Sequence, residues 1–63
     1  MRRADRRELL ADVHQVNPPY LARQGDVVVA LKIERVDAGV PVWRCMLGPS
    51  YVFVPEHALG AQS

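Results

Sequence analysis

Three side chains in this sequence offer a nucleophile or a soft metal ligand: His14, Cys45 and His57. Zinc sites need such ligands in close pairs, and no Cys-x-x-Cys or His-x-x-x-His spacing occurs here, so no metal site is expected. Cys45 and His57 would make a nucleophile and its base only if a third group oriented the imidazole. The thiol instead alternates with Trp43 and Leu47 along an extended run, where core packing is the expected role. Gly25, Gly39, Gly48 and Gly60 stand apart as turn residues, so no loop cradles a phosphate. The sequence therefore predicts no catalytic residue and no cofactor, and the chain is expected not to be an enzyme. A small-barrel enzyme with a site formed between subunits is the residual alternative.

The chemistry left is recognition. Trp43, Tyr51 and Tyr20, with Arg44 beside the tryptophan, suit a partner protein, self-association or nucleobase stacking. The competing reading puts Phe53 and part of Trp43 in the core. Interfaces favour Trp, Tyr and Arg without needing high net charge, and the chain carries only +1, so a protein partner or a homo-oligomer ranks above nucleic acid. Arg2, Arg3, Arg6 and Arg7 form a second candidate, a basic patch with only Asp5 among the charges within it. Crowding positive charge at the start of a helix opposes the macrodipole, which favours a use on an acidic surface or on phosphates. The function expected is a non-catalytic protein-interaction module, a small accessory or regulatory protein of phage, plasmid or bacterial operon type. The alternative is a nucleic-acid-associated module using the N-terminal arginines and the exposed aromatics.

These residues need a scaffold, and 63 residues make one domain that hides only ~60% of its unfolded surface. Domains of this size often rely on a disulfide, a metal or self-association. A single cysteine allows no intrachain disulfide, which points to a reducing cytoplasm. No apolar run reaches the ~18 residues of a membrane span, and no membrane partner or secretion signal is expected. Asp5-Arg-Arg-Glu8 has the form of a capping box, and Leu9, Leu10, Val13 and Val16 follow one helical face. An amphipathic helix is predicted over 5–16, ended by Asn17-Pro18-Pro19.

Beyond Gly25-Asp26 the character changes. Residues 27–36 are rich in β-branched side chains and form the strongest strand. Asp37-Ala38-Gly39 turns the chain, 40–47 returns antiparallel with Pro41 marking an edge or bulge, Gly48-Pro49-Ser50 turns again, and 51–54 completes a three-strand meander. Pro49 is expected at the first central position of its turn. Both faces of the later strands are partly apolar, so the sheet needs covering twice: by curling into a barrel, by the helix, or by a second copy. The fold class expected is mainly β with one N-terminal helix, and 1–4 and 60–63 read as loose ends.

Gly25-Asp26-Val27-Val28, then Trp43, then Val52-Phe53-Val54-Pro55-Glu56-His57-Ala58-Leu59 resemble the second half of a Src-homology-3 domain. That resemblance covers roughly 20–59 and implies a small antiparallel SH3-like barrel closed by a 3₁₀ turn. In that family, slots between aromatics hold proline-rich peptides. Ala58 stands where the family's last ligand-gripping tyrosine would be, so the closing segment reads as structural. The strand Tyr51-Val52-Phe53-Val54 before a proline also resembles the small type II dihydrofolate reductase barrels. An apolar side chain replaces their substrate-contacting glutamine, which leaves oligomeric assembly as the implied property. A fainter likeness, in Gly-Asp-Val alone, is to barrel-type ribonuclease toxins, none of whose catalytic residues is matched.

Overall fold

A computed structural model describes residues 4–16 and 19–62. They form seven strands and one 3₁₀ turn: β1 (Arg6–Leu9), β2 (Val13–Gln15), β3 (Tyr20–Ala22), β4 (Val27–Asp37), β5 (Val40–Leu47), β6 (Ser50–Pro55), the turn Glu56–Ala58, and β7 (Leu59–Gln62). Five strands make an antiparallel sheet in the order β6-β5-β4-β1-β7, and β2 and β3 make a separate hairpin.

The meander follows from local chemistry. Val27 to Val29 are β-branched, and two tight turns join the strands that follow. Ala38 and Gly39 both take positive φ, 49° and 79°, which is the primed turn whose twist matches that of the flanking strands. At the other turn Gly48 has φ 60° and so takes the first central position, leaving Pro49 the second, the reverse of the placement read from sequence. Gly48 suits it because positive φ there costs glycine nothing.

The predicted helix over 5–16 is corrected to two strands with a bend between them, and no α-helix occurs among the described residues. Arg6, Arg7 and Glu8 pair with Val29, Val28 and Val27. The Asp5 carboxylate accepts from Arg7 Nε at 2.9 Å instead of from a helical amide, and the Asp5 carbonyl accepts from Ala30 N at 2.8 Å. Leu9 is fully buried, while Leu10 and Val16, assigned to the same helical face, are 54% and 79% exposed. Helices this short are marginal alone, whereas the same backbone gains a ready ladder on β4. Tertiary pairing decides the outcome.

The tail is corrected too. Residues read as loose at the C-terminus join β7, which pairs with β1 through Leu9 opposite Leu59 and Arg7 opposite Gln62. Gly60 lies where an added Cβ would sit 2.8 Å from the Glu8 carbonyl oxygen, so the seam closes only around a residue without a side chain. The core is Leu9, Ala22, Val28, Ala30, Cys45, Val52, Val54, Ala58 and Leu59, flanked by half-buried Val13, Tyr20, Trp43 and Leu47.

Candidate binding cleft

The β5–β6 pair separates two kinds of surface. Trp43 and Cys45 lie opposite Val54 and Val52, and Arg44 and Met46 lie opposite Phe53 and Tyr51. Residues directly opposite share a face, and the first four include core members. Arg44, Met46, Tyr51 and Phe53 therefore look outward.

The β2–β3 hairpin walls one side of that outer face; Ala22, Val13 and Tyr20 pack it on the core, and Gln15 ties it to β6. Gln15 is buried; its Nε2 donates to the Tyr51 carbonyl at 3.4 Å and its Oε1 accepts from Phe53 N at 3.0 Å. Its amide thus behaves as a short piece of neighbouring strand on the edge of β6, satisfying backbone groups that an edge would leave open. Tyr20 is the cross-strand partner of Gln15 and arrives with Pro19 beside β6. Pro19, Tyr20, Arg44, Ser50, Tyr51 and Phe53 line the resulting cleft of about 430 Å³.

Two guanidinium groups cap the rings of the outer face. Arg44 sits 5.8 Å from the Tyr51 ring centre and Arg35 sits 5.9 Å from that of Phe53. Arg44 is oriented by Glu34 at 2.9 Å and Arg35 by Asp37 at 2.7 Å. Exposed ion pairs of this kind add little stability; they fix where the charge stands. The cleft is thus aromatic along its walls, cationic at one point, and open to solvent.

Of the candidates read from sequence, the structure brings Tyr20, Tyr51 and Arg44 together. It does not bring Trp43 to them. Trp43 is half-buried on the inner face against the core, and its Nε1 donates to Glu56 Oε1 at 3.3 Å. The described part of the basic patch, Arg6 and Arg7, is not continuous with the cleft either. Arg2 and Arg3 lie outside the described residues, Arg6 is exposed, and Arg7 is held by Asp5 and by the Gly60 carbonyl at 3.3 Å. Their strand, β1, is separated from β6 by β4 and β5. Phe53, which the competing reading puts in the core, is a half-buried cleft residue. Gln15 gave no signal, because its role is to meet main chain distant in sequence.

Nucleophilic chemistry finds no support in Cys45. Burial pushes its thiol up to about 11 from 9.0; the nearby Asp5 charge adds to this and Arg7 opposes it, so the reactive thiolate is scarce at neutral pH. His14 and His57 are both exposed. Among the described residues no group of three or more His, Cys, Asp or Glu is placed to hold a metal, and no helix is long and apolar enough to cross a membrane. No protein-family model matches this chain, and neither a curated protein nor a solved structure shows significant similarity to it.

Proposed function

We propose that this protein is a non-catalytic interaction module whose cleft, between the β2–β3 hairpin and the outer face of β5–β6, holds an extended segment of a partner protein. The observation that carries the reading is the lining itself. Tyr20, Tyr51 and Phe53 supply rigid rings that contact a ligand at low entropic cost, and Pro19 extends the apolar wall. Arg44 engages Glu34 through Nη2 and has further N–H groups to offer a second carboxylate. The segment expected is extended and apolar or aromatic, with one acidic side chain aligned to Arg44.

A relationship with SH3-like domains belongs to the same proposal. It draws support from the strand after Gly25-Asp26, the Trp43-bearing hairpin, and the 3₁₀ turn directly after Pro55. Ala58 is buried at 4% exposure, which fits a closure that packs inward, away from any ligand. A cytoplasmic setting fits a lone, buried thiol.

Titration of isotope-labelled protein with a panel of such peptides, followed by amide NMR, tests the reading. Shifts should cluster at Tyr20, Tyr51 and Phe53, and Tyr51→Ala should weaken binding about tenfold or more. Shifts confined to Trp43 and the 3₁₀ turn, or binding indifferent to Tyr51→Ala, would refute it. Arginine-capped rings also suit base stacking, which keeps a second reading in play. If single-stranded oligonucleotides bind through Tyr51 with affinity that falls steeply as salt rises, while peptides do not bind, the nucleic-acid reading replaces the first.

A further inference from the structure

β4 continues well past the body of the protein. Only Val27, Val28 and Val29 pair with β1, and Ala30 N reaches the Asp5 carbonyl. From Leu31 to Asp37 every residue is exposed, and among the described residues no strand pairs with this stretch on the side away from β5. Leu31, Ile33 and Val36 stand 45%, 47% and 61% exposed along it. An edge with such residues is a template for another strand.

Two bulges decide what that strand can be. The β4–β5 register shifts between Ala30 and Lys32 and again between Ile33 and Arg35, leaving Leu31 and Glu34 as the extra residues. Ile33 lies opposite Trp43 and Val36 opposite Pro41; Lys32, Arg35 and Asp37 lie opposite Arg44, Val42 and Val40. Trp43 and Pro41 alternate along β5, so Ile33 and Val36 share one face despite their odd spacing, and the three charged residues share the other.

We infer that the outer half of β4 is a pairing edge for a second copy of this chain, joined antiparallel about a two-fold axis that passes between Glu34 and Arg35. In that register Ile33 meets Val36 of the second copy on one face. On the other, Lys32 meets Asp37 and Glu34 meets Arg35. A slip of one residue either way sets Glu34 against Glu34 or Arg35 against Arg35, so like charges reject the neighbouring registers. In an unbulged strand Ile33 and Val36 would point to opposite faces and no two-fold pairing could oppose them. The bulges, which elsewhere blunt an edge, here create its self-complementarity. The axis stands normal to the ribbon, so both clefts open on the same side of the dimer.

The test is sedimentation of the full chain over a wide concentration range, with Lys32→Asp and Asp37→Lys, both at exposed positions that leave the core untouched. The wild type should dimerise. Each variant alone should dimerise about tenfold more weakly, because both symmetric contacts become repulsive. An equimolar mixture should recover dimers, since each Asp then faces a Lys. Tyr51→Ala should leave assembly intact, which separates this inference from the cleft reading. A wild type that stays monomeric throughout, variants that dimerise like the wild type, or a mixture that fails to recover would each overturn it.

Discussion

β4 is one unbroken strand living in two environments. Its first four residues alternate between outside and inside and bury Val28 and Ala30, whereas its last seven are all exposed. The inner half is stabilised mainly by apolar area removed from water. The outer half has no core beneath it and depends on its ladder to β5, on a tight turn at the tip, and on side chains laid along the surface, such as Arg35 over Phe53. A strand can thus be continuous in hydrogen bonding and discontinuous in what holds it. The contrast also separates how side chains are used: the inner half buries Val28 and Ala30, while the outer half holds Glu34, Arg35 and Asp37 in surface pairs and leaves Leu31, Ile33 and Val36 exposed.

Substitutions in β4 and in the elements that flank it sharpen that contrast. The largest effect is expected from Val28→Asp, which buries a carboxylate among apolar core residues while the facing Arg7 is already held by Asp5 and the Gly60 carbonyl; the protein should lose cooperative unfolding by circular dichroism. Next comes Gln15→Leu, which leaves the Phe53 amide and the Tyr51 carbonyl without the partner they have now. A loss of about 1–3 kcal/mol in denaturant melts is expected, with exchange at the Phe53 amide accelerated by more than the global loss accounts for. At the tip, Ala38→Asn should stabilise by about 0.5–1 kcal/mol, because asparagine tolerates the left-handed backbone better than alanine. The smallest change belongs to Ile33→Thr, expected within about 0.5 kcal/mol for the dilute protein. A cost there as large as that of a core truncation would mean that the arm is buried against something, and the contrast between the halves would collapse.

The meander was legible because its signals are local. β-Branched runs and paired turn residues mark 27–36, 40–47 and 51–54 within a residue or two of the observed strands. The N-terminal strands were not, because Leu9, Leu10, Val13 and Val16 fit a helical stripe; β4 and β7, the partners of β1, lie farther along the chain, and β2 pairs with the short β3 just beyond prolines that also mark a helix end. Bulges at Leu31 and Glu34 left no trace either; they reassign faces without changing composition. For the cleft, alternation correctly grouped Tyr51 with Phe53 and Trp43 with Cys45. It cannot say which group faces the core, so the sequence leaves both Trp43 and Phe53 open between core and contact surface. Side choice depends on where β2 and β3 land, which is set by the packing of Ala22, Val13 and Tyr20 on the core together with the Gln15 bonds to β6.

The seam between β1 and β7 bears on how the chain reaches this state. Asp37 pairs with Val40 and Leu47 with Ser50 across two-residue turns, whereas the Arg7 side chain meets Gly60 across 53 positions of sequence. Closing the long loop has a far larger entropic cost than closing the short ones, so the meander can assemble on a fast, local timescale while the seam waits for the ends to meet. The transition state should therefore be polarised toward β4–β5–β6. Weakening the seam, by placing alanine at Gly60, should speed unfolding much more than it slows folding.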